Sequence, residues 1–124
     1  MKRDLNLIRE ILLHIESGEE YDGTREFYFT TPEEMGLTGG FTPEEFVYNY
    51  TLLIENGYID GAATVMGQVT VRRLTSSGHD FLDDIRDPGV WKQVRNRLGS
   101  LPGVALTIVA EVAKSEIRKH LGLP

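Results

Sequence analysis

The sequence contains no cysteine. Disulfides and thiolate metal sites are therefore excluded, and a reducing compartment suits the chain. It also has no apolar run near the ~20 residues of a membrane-spanning helix. The opening Met1-Lys2-Arg3-Asp4 leads into no apolar stretch of the signal-peptide kind. The expectation is a cytoplasmic protein without a membrane partner. Histidine is sparse: His14, His79 and His120 are too scattered to compose a zinc site. Gly36 to Gly40 is followed by no Gly-Lys-Ser/Thr, so it is not a phosphate loop. No repeat or low-complexity segment is present, and no cofactor is expected.

Cations are also scarce over most of the chain. Residues 1–90 carry 7 Lys/Arg against 17 Asp/Glu, a charge of −10, whereas residues 91–124 carry 6 against 2, or +4. Together they give the net −6 of the 124-residue chain. An acidic body repels phosphate backbones at long range, so the basic tail differs in kind from what precedes it. The length suits one domain.

What is present is a series of well-marked elements. Asp4 caps a helix whose apolar residues Leu5, Ile8, Ile11, Leu12 and Ile15 recur at helical spacing, ending near Gly18. Arg25 to Thr30 is aromatic and β-favouring, a short strand. Thr31-Pro32-Glu33-Glu34-Met35 reads as a helical turn with proline at its first position. Thr42-Pro43-Glu44-Glu45 is a capping box opening a helix to Asn56-Gly57, with Phe46, Tyr50, Leu53 and Ile54 inward. A strand around Ala62 to Met66, a turn at Gly67-Gln68 and a returning strand from Val69 to Leu74 form a hairpin. Thr75 caps a helix carrying Phe81, Leu82 and Ile85. Asp87-Pro88 starts another with Val90, Trp91, Val94 and Leu98. After a break at Pro102-Gly103 a last helix runs from about Val104 to Leu121.

The fold class expected from this order is mainly α with a small β-sheet. Residues 1–87 form a winged-helix-like domain: helix, strand, helical turn, helix, two-stranded wing, helix. Residues 88–124 are two further helices packed on it as a single structural unit. The chain also resembles the YjcQ-like family of uncharacterised bacterial and prophage proteins. The residues that carry this are Met1 to Leu5 with Leu7 to Leu12, then Leu52 to Ile59, and Leu74-Thr75 with Gly78 to Asp87 and Val90-Trp91. The resemblance implies a winged-helix-like fold and implies no activity.

The helix from Pro43 to Asn56 occupies the place of a recognition helix. Bases and phosphates are read mainly by Arg, Lys, Asn and Gln, and this helix has no Lys or Arg. Its expected outer face holds Glu44, Tyr48, Thr51, Leu52 and Glu55, with Glu45 and Asn49 flanking. Only Asn49 and Asn56 are typical base readers. Tyr48 and Leu52, spaced i,i+4 and ringed by acids, instead suit a protein contact, with Glu44 and Glu55 selecting a basic partner.

Arg72 and Arg73 are adjacent in the returning strand, so their side chains are expected on opposite faces, each beside a carboxylate. His79-Asp80 lacks an activated nucleophile in Ser76 or Ser77 and reads as a helix start. Asp80, Asp83, Asp84 and Asp87 read as a solvated acidic face rather than a cation site. In the last helix Leu106, Val109, Ala113 and Ile117 belong to an apolar arc wider than one neighbour requires, opposite Glu111, Lys114 and Arg118. That helix is either sandwiched within the domain or a homodimer interface.

The function expected is a non-enzymatic binding module, a protein-interaction or regulatory factor. The alternative is a nucleic-acid-binding regulator using Arg72 and Arg73 of the wing with Lys92, Arg95 and Arg97 of the basic helices.

Overall fold

The computed structural model describes residues 1–64, 66–99 and 103–124. Their architecture is mainly helical. Among the described residues there are six helices and one three-stranded antiparallel sheet. Contacts gather the chain into two compact units, Met1–His79 and Asp80–Pro124. The sequence reading placed its boundary after Asp87. No helix among the described residues is long and apolar enough to cross a membrane.

In the first unit, α1 (Leu5–Ser17) starts where Asp4 accepts a hydrogen bond from the Leu7 N–H at 3.1 Å. Its buried stripe is Leu7, Ile8, Ile11, Leu12 and Ile15. Leu7 takes the inward place expected for Leu5, which is half-buried. The strand expected over residues 25–30 shortens to β1 (Phe27–Phe29). The helical turn α2 (Pro32–Met35) has its proline at the start and closes on Gly36, whose φ of 102° is left-handed. Then α3 (Pro43–Glu55) follows its capping box.

The hairpin joins β2 (Ile59–Ala63) to β3 (Val69–Leu74). Here the sequence reading of Ala62 to Met66 is corrected. Ile59 already pairs with Leu74, and the Thr64 N–H donates to the Gln68 carbonyl at 2.8 Å, closing the hairpin before Met66. Val65, also within that expected strand, lies outside the described residues. The sheet order is β1-β3-β2, with Phe27 opposite Val71 and Phe29 opposite Val69. Val69 and Val71 are fully buried, α1 packs on α3 and β3, and α3 packs on β2.

The helix α4 (Ser76–Ile85) begins in the first unit, where Thr75 Oγ1 accepts the Gly78 N–H at 3.0 Å. Its later residues Phe81, Leu82 and Ile85 belong to the second and are buried. There α5 (Pro88–Leu98) is capped by Asp87, which accepts the Val90 N–H at 2.9 Å, and it buries Val90, Trp91, Val94 and Leu98. It packs on α6 (Leu106–His120), which is shorter at both ends than the expected Val104 to Leu121. Ala105 at its start offers no side-chain cap. The expected break at Pro102 lies outside the described residues.

Candidate functional site

The capping box fixes how α3 presents its acids. Thr42 Oγ1 accepts the Glu45 N–H at 3.1 Å, and the Glu45 carboxylate accepts the Thr42 N–H at 3.0 Å. Glu45 is thereby engaged, while Glu44 stands exposed. The inward stripe is Phe46, Asn49, Tyr50 and Leu53, with Ile54 only half-buried.

Asn49 corrects the sequence reading. It is fully buried rather than flanking an outer face. Its Oδ1 accepts the Asp4 N–H at 2.8 Å, and its Nδ2 donates to the Glu45 carbonyl at 2.9 Å. It joins the start of α1 to α3 and cannot present a base-reading amide. Its spacing, three residues after Phe46 and four before Leu53, was the available signal. Tyr50 donates to the Thr70 carbonyl at 2.5 Å, and burial pushes its hydroxyl pKa far above the ordinary tyrosine value, so it stays a donor.

On the other side of α3 lies a groove of about 480 Å³, lined by Pro43, Glu44, Val47, Tyr48 and Thr51 with Met1 and Gly67. Thr51 Oγ1 turns back to donate to the Val47 carbonyl at 2.7 Å. Glu44 is the one charged side chain in this lining. Of the expected contact residues, Glu44 and Tyr48 are in it. Leu52 is half-buried and outside the lining, and Glu55 is exposed at the end of the helix. Val47 takes the place expected for Leu52. Beside Gly67, Met66 is 86 % exposed. Sequence periodicity missed Val47 and the hairpin tip because their meeting depends on how the hairpin closes.

Arg72 and Arg73 overturn the expectation of opposite faces. The register slips between Asp60 and Gly61, so that Asp60 opposes Arg73 while Gly61 opposes Val71. Arg72 is the extra residue of a β-bulge. Both guanidinium Nε atoms approach the same Asp60 Oδ2, at 3.7 and 3.9 Å. Arg72 also donates to the Gly23 carbonyl at 2.6 Å and Arg73 to the Leu74 carbonyl at 2.8 Å.

His79 is exposed, with Nδ1 4.0 Å from Glu16 Oε2, beside a cleft of about 220 Å³ shared with Tyr21, Asp22 and Arg73. Ser76, Ser77 and Asp80 are exposed. In the acidic run Asp83 pairs with Arg86 at 2.8 Å and Asp87 caps α5. Asp84 is 3.9 Å from Lys114, and its pKa is raised, chiefly by burial. Among the described residues no group of three or more acids or histidines is placed to hold a metal ion.

In the second unit Leu106, Val109 and Ala113 are buried within the chain and Ile117 is half-buried. The polar stripe expected on α6 omitted Glu116, which is 6 % exposed. Its Oε1 accepts from Arg97 at 3.0 Å and lies 3.5 Å from Lys119 Nζ. The hydrogen bond from Arg97 foremost holds the Glu116 carboxyl below its ordinary pKa. Arg97, a candidate phosphate contact, is therefore engaged, while Lys92 and Arg95 are exposed.

Residues 2–105 match a family described as "Hypothetical protein (DUF2513)". A protein of Haemophilus influenzae, named "Uncharacterized protein", is 34% identical over 125 residues, covering 98% of this chain and 99% of the relative. Both agree with the expectation of a family of unknown function. No solved structure matches the chain.

Proposed function

We propose that this chain, which belongs to the DUF2513 family of hypothetical proteins, is a non-enzymatic, winged-helix-like module. It docks a basic, apolar-anchored segment of another protein on the outer face of α3. The observation that carries this is the groove along Val47, Tyr48 and Thr51, edged by the free carboxylate of Glu44, on a helix without a single Lys or Arg. Tyrosine in an apolar recess is an effective anchor, and a carboxylate at its edge selects a cation.

The element order from α1 to β3 and the sheet order β1-β3-β2 support the winged-helix reading, with α3 in the recognition position. The YjcQ-like resemblance, a prophage origin, a regulatory role and a cytoplasmic setting are parts of the same proposal. Against the nucleic-acid alternative stand the engaged cations: Arg72 and Arg73 share Asp60, and Arg97 is held by Glu116.

Fluorescence anisotropy tests this with three labelled probes: a leucine-containing Lys/Arg peptide, its Asp/Glu counterpart and a DNA duplex at low salt. The basic peptide binds, and Tyr48→Ala weakens it about tenfold or more. Equal binding of both peptides would overturn the reading. So would DNA binding that is lost on charge reversal at Arg95.

A further inference from the structure

Beyond its last helical residue the chain does not trail away. The Gly122 N–H donates to the Lys119 carbonyl at 3.1 Å and the Leu123 N–H to the Arg118 carbonyl at 2.8 Å, with Gly122 at a left-handed φ of 71°. These two bonds are those of a Schellman helix end. In that motif the residue after the glycine usually packs back on its own helix. Here Leu123 stays 55 % exposed and Leu121 68 % exposed. The turn thus fixes the backbone of a small apolar knob, and Arg118, Lys119 and His120 beside it are exposed. Lys119 leans toward Glu116, whereas Arg118 has no ion pair among the described residues.

The chemistry of this knob is the complement of the groove on α3. The groove is apolar with a single carboxylate at its edge, and the knob is apolar with a free guanidinium at its edge. Charge at larger scale agrees, since residues 1–90 carry −10 and residues 91–124 carry +4. Every copy of the chain therefore brings both partners of one interface. The apolar stripe of α6 is consumed by burial of Leu106, Val109 and Ala113. Among the described residues of the tail, the large apolar side chains left exposed are those of the knob and Ile108.

We propose that the groove on α3 receives the C-terminal knob of a second copy of this chain, with Leu121 and Leu123 against Val47 and Tyr48, and Arg118 facing Glu44. The inference rests on the docking reading above and names its occupant. Groove and knob are different surfaces, so the contact either forms twice in a reciprocal, isologous pair or links copies head to tail in a heterologous chain. A preformed turn lowers the ordering cost of docking, but the patch is small, so the association is weak.

Sedimentation velocity from about 10 μM to about 1 mM reads it, the range in which a small interface associates. The expected result is concentration-dependent association that weakens with added salt. It is lost both in Tyr48→Ala and in the double variant Leu121→Asp, Leu123→Asp. Mixing the two variants restores a heterodimer, because one retains a working knob and the other a working groove. Circular dichroism of each variant confirms that it is folded. A chain that stays monomeric throughout overturns the inference, and so does association that both variants leave intact. If the chain is monomeric yet still binds the basic peptide, only this inference falls. If neither occurs, the docking reading falls with it.

Discussion

Asn49 shows how much one buried amide changes the meaning of α3. Its position on the helix was legible, because it falls between Phe46 and Leu53 on the inward stripe. Its role was not, because its partner is the backbone of Asp4, 45 residues away. Local spacing identifies a face of a helix; it does not say which distant donor arrives there. The buried amide bonds the N–H of Asp4, the cap of α1, and shares the Glu45 carbonyl of α3. Replacing it with alanine leaves the Asp4 N–H unpaired, since the Glu45 carbonyl keeps its helical bond, and an unpaired polar group withdrawn from water costs about 1–3 kcal/mol. Asn49→Ala is therefore expected to lower the urea midpoint of the chain by that equivalent. An unchanged midpoint would show that the amide is dispensable. Tyr48 is the opposite case. It was legible as an outward aromatic residue, and the groove around it needed Met1 and the hairpin to be in place.

Among the elements, helix starts were the most legible features, because capping is local chemistry. Asp4, Thr31, Thr42 and Asp87 each accept the N–H of the residue three places on. α6 is the exception that explains the rule: Ala105 provides no side-chain cap, and the sequence start at Val104 fell two residues early. Strands were less legible, since their limits depend on the partner strand. The bulge at Asp60 and Gly61 is what alternation cannot reveal, and it brings Arg72 and Arg73 to one carboxylate. Gly61 sits there without room for a side chain. A Cβ would overlap the Thr70 carbonyl oxygen and approach Tyr50 Oη at 2.9 Å. Overpacking of this kind costs about 1–3 kcal/mol. Gly61→Ala is expected to destabilise the Met1–His79 unit by that amount in chemical denaturation. No change in stability would mean that the bulge yields freely.

At the scale of the whole molecule, charge separates this chain from what its element order suggests. Helix α3 has no cation and lies in the segment that carries −10, which does not favour phosphate, and Arg72 and Arg73 of the hairpin are already held by Asp60. The same charge pattern makes stability depend on pH through two carboxyls of the second unit, and their signs oppose. Glu116 is held below its ordinary pKa, with the Arg97 hydrogen bond the largest cause. The folded state therefore binds its proton less readily than the unfolded state. Its stabilisation is fully present above the unfolded carboxylate range and is lost as pH falls through the folded value. Asp84 is raised, chiefly by burial, so its contribution favours folding at low pH and fades as pH rises through the folded value. Glu116→Gln isolates the first effect. The variant is expected to melt several degrees below the parent at pH 7. That gap should narrow steadily in acid, because the parent's Glu116 is then protonated as well and Arg97 loses its charged partner. Melting curves of both proteins from neutral to acidic pH measure it. A gap that stays constant across the range would mean that Glu116 contributes through packing alone and that Arg97 is free for another partner.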